Sequence, residues 1–113
     1  MIRCLAAAAL LALTAMPASA QNYIGRWAAS PSDCRKPQTA EFPPAIFRRN
    51  GYDRRDTHCA FSAMSKDADG WWTTQARCVI AGATVTKPLK IRVDGNVLSM
   101  TDGKDDWMFE RCR

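Results

Sequence analysis

The sequence predicts a single small all-β domain, an antiparallel meander of roughly six to eight strands that closes into a barrel or a two-layer sandwich with two disulfides. Apolar and polar residues alternate with a period of two after the first twenty residues, which is typical of half-buried strands. Turn-forming residues separate these runs at short intervals, and stretches with a helical period are absent there. An even number of cysteines in so short a chain supplies the covalent framework.

Residues 1–20 are expected to be a secretory signal peptide. A charge at Arg3, an apolar run from Cys4 to Leu13 and the ending Ala18-Ser19-Ala20 follow the usual order of charged, apolar and cleavage regions. The apolar run is shorter than the about 20 residues that a membrane-spanning helix needs. Cleavage removes 20 of the 113 residues, which leaves 93 and lowers the formal net charge from +5 to +4. We therefore expect one domain, residues 21–113, that is periplasmic or secreted, monomeric and without a membrane span.

Four cysteines follow the predicted cleavage point: Cys34, Cys59, Cys78 and Cys112. In a short exported chain they indicate two disulfides, with three possible pairings. Their wide spacing, with a single histidine in the chain, does not fit a zinc site. His58 and Cys59 are neighbours on a predicted strand and point to opposite faces, so the imidazole could not activate the thiol. Neither a metal site nor a catalytic cysteine is expected.

Seven segments have the composition and alternation of strands, and the connections between them carry Gly, Asp, Asn, Ser and Pro. The predicted strands are Tyr23–Ala29, Ala45–Arg49, His58–Ser65, Trp71–Ile80, Thr84–Val93, Val97–Thr101 and Asp106–Arg111.

The apolar pattern predicts the register of the hairpin at Asp94-Gly95, where glycine accepts the positive φ of a tight turn. A turn centred there pairs Ile91 with Leu98 and Leu89 with Met100, and places all four on one face. A slip by one residue would expose this set.

A second turn at 102–105 places Leu98 and Met100 alongside Trp107 and Phe109. The two hairpins therefore predict the same core face.

A hairpin turning at Ala68-Asp69 brings two of the cysteines together. It places Cys59 directly opposite Cys78 on an apolar face, which suits the short distance that a disulfide requires. The same register pairs Phe61 with Ala76, Ala63 with Thr74 and Ser65 with Trp72. Cys34–Cys112 then follows by elimination. Each bridge is expected to stabilise the domain by roughly 3–4 kcal/mol.

The first predicted strand contains Gly25-Arg26-Trp27, followed shortly by Cys34. This G-x-W pattern resembles the opening strand of lipocalin-type barrels and of small bacterial periplasmic inhibitors of secreted metalloproteases. The resemblance implies an antiparallel barrel in which Trp27 plugs one end, and it suggests inhibition of another protein. Alternatively, Trp27 is an ordinary core residue of the first strand.

The stretch "FRRNGYDRRDTHCAF" places four arginines near two aspartates. Because charges of both signs alternate, a solvated loop is the simplest interpretation. Alternatively, Arg48, Arg49, Arg54 and Arg55 form a cluster that binds a carboxylate or phosphate, such as those of lipopolysaccharide or acidic glycans.

Trp71 and Trp72 are adjacent on a predicted strand, so an inward Trp72 implies an outward Trp71. An exposed tryptophan either covers a neighbouring loop or anchors an interface.

Motifs for enzymatic chemistry are missing: the chain has no G-x-S-x-G elbow, no P-loop and no dinucleotide fingerprint. Asp102, Asp105 and Asp106 crowd a predicted turn, where they serve turn chemistry. The modest charge does not indicate nucleic-acid binding. We expect a non-enzymatic module without a cofactor, which binds or inhibits an unknown protein, or an anionic envelope ligand. A structural envelope protein is a further alternative.

Overall fold

The strands of this protein pair side by side, and the last strand also pairs with the first. The computed structural model describes residues 21–113, and the predicted signal peptide lies outside them. The strands are β1 (Gly25–Ala28), β2 (Ala45–Arg48), β3 (Gly51–Arg54), β4 (Thr57–Phe61), β5 (Ser65–Lys66), β6 (Trp72–Ile80), β7 (Ala83–Asp94), β8 (Val97–Thr101) and β9 (Asp106–Arg111). A single 3-10 turn covers Pro31–Asp33.

Eight of these strands form a closed antiparallel barrel in the order β1-β2-β3-β4-β6-β7-β8-β9, and β9 pairs with β1. The short β5 runs beside β6. The all-β prediction is therefore confirmed, and of its two architectures the barrel is the one adopted. No helix within residues 21–113 is long and apolar enough to cross a membrane.

Antiparallel pairing sends the connections alternately to the two ends of the barrel. The open end carries the segment 29–44 and the turns 55–56, 81–82 and 102–105. The closed end carries residues 21–24, the connections 49–50, 62–71 and 95–96, and residues 112–113.

Tyr23 fills the closed end. Its ring lies edge-on to Phe47, Phe61 and Trp72, with centroid distances of 6.4, 6.2 and 5.7 Å. Its hydroxyl donates to the carbonyl oxygen of Arg49 at 3.0 Å, so the buried polar atom is satisfied. Edge-to-face pairs of this kind add about 0.5–1.5 kcal/mol each beyond their burial.

Trp27 lies fully buried inside the barrel. Its indole Nε1 donates to the carbonyl oxygen of Tyr23 at 2.8 Å. From the neighbouring strand, the Arg111 guanidinium lies 4.3 Å from the centroid of the indole ring and donates to the carbonyl oxygen of Asn22 at 3.3 Å. Trp27 therefore joins the first strand, the last strand and the plug at the closed end.

The arginine-rich stretch is not a loop, and here the prediction is wrong. β3 occupies Gly51–Arg54 and forms tight hairpins with β2 and β4. Tyr52 points into the barrel and Asp53 points outward, as a strand requires. β3 has four residues and a single apolar inward side chain, so its sequence shows too little alternation of apolar and polar residues to be recognised as a strand.

The register predicted for the β7–β8 hairpin is wrong by two residues. The turn is Gly95-Asn96 instead of Asp94-Gly95, so Ile91 pairs with Met100 and not with Leu98. Gly95 has a φ of 64°, which fits a turn with glycine in its first position. A shift of two residues preserves the faces, and the predicted inward residues are buried. The β8–β9 pairs of Leu98 and Met100 with the two aromatic residues are confirmed.

Both predicted disulfides are confirmed, Cys59–Cys78 between β4 and β6 and Cys34–Cys112 between the segment after β1 and the end of the chain. Two disulfides indicate an oxidising compartment outside the cytosol.

The predicted cross-strand register holds around Cys59 and Phe61 and then slips by one residue. Ser65 pairs with Thr73 instead of Trp72. One extra residue is therefore accommodated between Phe61 and Ser65, as in a β-bulge.

Candidate functional site: the open end of the barrel

The open end contains a cavity of about 280 Å³. Its apolar walls come from four different strands: Ile80, Met100, Trp107 and Phe109 belong to β6, β8 and β9, and the ring of Tyr52 belongs to β3. Polar and charged side chains also line it: Arg54, Thr57, Lys87 and Asp105. A concave apolar surface with a few convergent polar groups is the usual form of a small-molecule site.

Tyr52 forms the inner wall of the cavity and is 5% exposed. Its ring stacks on Phe47, with centroids 4.8 Å apart and planes inclined by 14°. Burial raises the pKa of the phenol to about 12, against the opposing charge of Arg54. The hydroxyl therefore stays protonated at neutral pH. Within residues 21–113 it has no hydrogen-bond partner, which is uncommon for a buried polar group.

Arg54 ends β3 at the rim of the cavity. Its Nε donates to the carbonyl oxygen of Pro43 at 3.0 Å, and its guanidinium carbon lies 5.2 Å from the centroid of the Phe109 ring. In the described part of the chain no carboxylate lies within 4.0 Å of this guanidinium. The arginine is thus fixed in position, while its charge has no ion-pair partner among residues 21–113.

Lys87 points inward from β7 and is held differently. Its Nζ lies 3.2 Å from Oδ2 of Asp102 and 5.5 Å from the centroid of the Trp107 ring. Asp102 begins the β8–β9 turn, and its Oδ1 accepts from the backbone N–H groups of Lys104 and Asp105 at 2.9 and 2.7 Å. The carboxylate therefore neutralises Lys87 and stabilises the turn.

The backbone N–H of Asp105 is the main cause that lowers the pKa of Asp102 to about 2, helped by Lys104 and Lys87 and opposed by burial. A lowered pKa means that the ionised form stabilises the fold above the ordinary value of 3.8, and that this contribution is lost as the pH falls toward 2.

We expect the substitution Asp102→Asn to lower the free energy of unfolding by up to about 2 kcal/mol at pH 7, because asparagine resembles the protonated acid. The difference from the wild type should shrink as the pH falls from 4 toward 2. Urea unfolding at pH 7 and pH 2.5 measures both values. Asp106→Asn, which changes an exposed residue on the same hairpin, is the matched control. A deficit that is the same at both pH values would contradict the assignment.

The four arginines of the proposed cluster do not converge. Arg48 points outward from β2 and pairs with Asp53, whose other oxygen lies 2.8 Å from Nδ1 of His58. Burial tends to raise the pKa of Asp53, but hydrogen bonds from His58 and Arg48 outweigh it and lower that pKa. This exposed group is separate from Arg54, which lies on the inner side of β3.

Arg49 and Arg55 occupy the turns on either side of β3, at opposite ends of the barrel. Arg49 contributes its carbonyl oxygen to Tyr23, and the backbone N–H of Arg55 donates to Oε1 of Gln38 at 2.6 Å. Of the four, Arg54 alone lines the cavity within the described residues.

Trp71 lies just before β6 and is half-buried, while Trp72 is in the core as predicted. The Arg92 guanidinium lies 5.6 Å from the centroid of its ring. Together with Val97 and Met108 they border a shallow outer groove. The groove is separate from the open end.

Most residues of the cavity were not predicted from the sequence as site residues. One signal was available, because Lys87 interrupts an inward row that continues with Leu89 and Ile91. A lysine in an otherwise apolar row indicates a polar interior at that level. Tyr52 gave no such signal, since its strand was not predicted.

Among residues 21–113, no group of three or more His, Cys, Asp or Glu side chains is arranged to hold a metal ion. Comparison of the chain with models of protein families, with curated proteins and with solved structures finds no significant match. The barrel and its open end are therefore the features that bear on function.

Proposed function

We propose that this protein is a non-enzymatic binding module, periplasmic or secreted, that takes its ligand into the cavity at the open end of the barrel. The observation that carries the proposal is the contrast between the two ends. Tyr23 and its aromatic neighbours fill the closed end, whereas the open end keeps a cavity of about 280 Å³.

The polar groups around this cavity support binding better than catalysis. Lys87 and Asp102 neutralise one another, and the pKa of the Tyr52 phenol is too high for it to act as a base at neutral pH. Of the other polar groups, Asp105 is exposed in its turn, whereas Arg54, Thr57 and the Tyr52 hydroxyl can donate hydrogen bonds into the cavity. Such donors select and orient a ligand.

A second candidate is binding of a protein partner, as the inhibitor resemblance suggests, through the outer groove at Trp71. Its support is the side chain of Met108, which is 66% exposed beside the tryptophan. Exposed aromatic and methionine side chains are enriched at protein interfaces. The alternative of anion binding by the arginines would use Arg54 and Arg55, which line one cleft at the open end, because Arg48 pairs with Asp53 on the outer face.

The test is recovery of bound molecules from the protein as its host exports it. Thr57→Trp introduces a large side chain at the rim of the cavity, and Thr84→Trp makes the same change at an exposed position of β7. We expect mass spectrometry to find a compound on the wild type and on Thr84→Trp, with at least about a tenfold loss on Thr57→Trp. Melting temperatures establish that both variants fold.

A compound retained equally by Thr57→Trp would contradict the proposal. A protein that co-purifies with the wild type but not with Met108→Ser would instead support the outer groove.

A further inference from the structure

The geometry points to the chemical class of the ligand: a flat, single-ring carboxylate, whose acid group pairs with Arg54 while its ring enters the cavity. This inference depends on the proposed function, because it assigns a ligand to the same open end. Three separate observations support it: the size of the cavity, the charge of Arg54 and the hydroxyl of Tyr52 that lacks a hydrogen-bond partner within residues 21–113.

The volume of the cavity suits a small ligand. Small-molecule sites usually measure about 300–1,000 Å³, and the cavity, at about 280 Å³, lies at the small end of that range. A single six-membered ring with a short acidic side chain suits a cavity of this size.

The charge of the ligand follows from Arg54. Its Nε is already used by Pro43, and in the described chain its two terminal amino groups have no protein acceptor. Arginine presents these amino groups as a planar fork that matches a carboxylate. Packing against Phe109 also holds the fork in place before a ligand arrives, so little conformational entropy is lost on binding.

The other charged groups nearby do not favour a cation. Lys87 and Asp102 neutralise each other. Asp105 lines the cavity but is exposed in its turn, where water screens it. Glu41 and Asp56 line a neighbouring cleft together with Arg54 and Arg55, but neither carboxylate approaches the Arg54 guanidinium to within 4.0 Å. Arg54 is therefore the charge best placed to act on a bound molecule.

Tyr52 supplies the second contact. Tyr52 is buried, and its hydroxyl has no hydrogen-bond partner within residues 21–113, so a ligand oxygen could accept from it. The ring of the ligand would then contact the apolar wall formed by Trp107, Ile80 and Met100. Flat rings pack well against aromatic side chains.

The test is an NMR titration with phenylacetate and with its neutral analogue phenylacetamide, which has the same shape. We expect phenylacetate to shift the backbone amides of Trp107 and Ile80 and to bind about tenfold more tightly than the amide. Arg54→Gln should abolish this preference. Tyr52→Phe should weaken phenylacetate binding about threefold or more. Arg49→Gln removes an equal charge at the closed end and should change nothing.

Three results would overturn the inference. One is equal binding of the acid and the amide, and another is tighter binding of the amine phenethylamine. Both would exclude a carboxylate but leave the cavity as a binding site. The third is the absence of any shift at the cavity with all three probes. The proposed function would fail together with this inference only if Thr57→Trp also retained as much bound compound as the wild type.

Discussion

Replacing both Cys34 and Cys112 with serine is expected to lower the free energy of unfolding by about 4.5 kcal/mol. The bridge spans 78 residues and therefore restricts the conformations of the unfolded chain strongly. Without it the unfolded chain gains entropy, which lowers the free energy of unfolding. Both sulfur positions are only half-buried, so serine introduces no core defect there. A loss of this size approaches the whole stability of a small domain, which is about 5–15 kcal/mol. Urea unfolding of the oxidised wild type and of the variant measures it.

The matched comparison is the double variant of Cys59 and Cys78 to alanine. This bridge spans 19 residues, so the same model gives about 3 kcal/mol for the loop. Its sulfur atoms are buried, and alanine adds the cost of a small cavity. If Cys34→Ser/Cys112→Ser unfolds at the same urea concentration as the wild type, the bridge does not restrict the unfolded chain as the loop model requires, and the prediction is wrong.

The second large effect is expected for Gly51→Ala, with a loss of about 3 kcal/mol or more. A Cβ atom at position 51 would lie 2.2 Å from the carbonyl oxygen of Cys59, so the backbones of β3 and β4 would have to separate. Overpacking usually costs about 1–3 kcal/mol, and a clash between backbones belongs at the upper limit. Since Tyr52 is the next residue, the cavity should deform as well. Urea unfolding and the amide shift of Tyr52 report the two effects.

Gly103→Ala separates steric clash from backbone strain. Gly103 has a φ of 89° and open space around it, so alanine there meets no atoms. The free energy of unfolding should fall only by the cost of the left-handed backbone conformation, about 1–2 kcal/mol. If Gly51→Ala is no worse than Gly103→Ala, the two strands can move apart at little cost.

The alternation of apolar residues predicted those features that depend only on the pairing of adjacent strands. Cys59–Cys78 followed from one hairpin register and one apolar face, and Leu98 and Met100 were paired with the aromatic residues of β9 for the same reason. The predicted turn at Asp94-Gly95 was wrong because registers that differ by two residues bury the same face.

The candidate site could not be predicted in the same way. Tyr52 and Trp107 are far apart in the sequence and line one cavity only because the barrel closes between β1 and β9. Alternation within a strand contains no information about that closure. The charges of Arg54 and its neighbours also concealed β3, so an inward arginine was interpreted as part of a surface cluster.

The pairing of β1 with β9 also affects how the chain acquires its structure. The backbone N–H of Cys112 donates to the carbonyl oxygen of Arg26 at 2.9 Å, so the seam joins β1 to residues more than eighty positions further along the chain. Contacts this distant in sequence make folding slow. Until β9 emerges, β1 and β8 are left with unpaired edges with which another chain can pair. A nascent chain of this protein is therefore most prone to aggregate after β8 has been synthesised and before β9 pairs with β1.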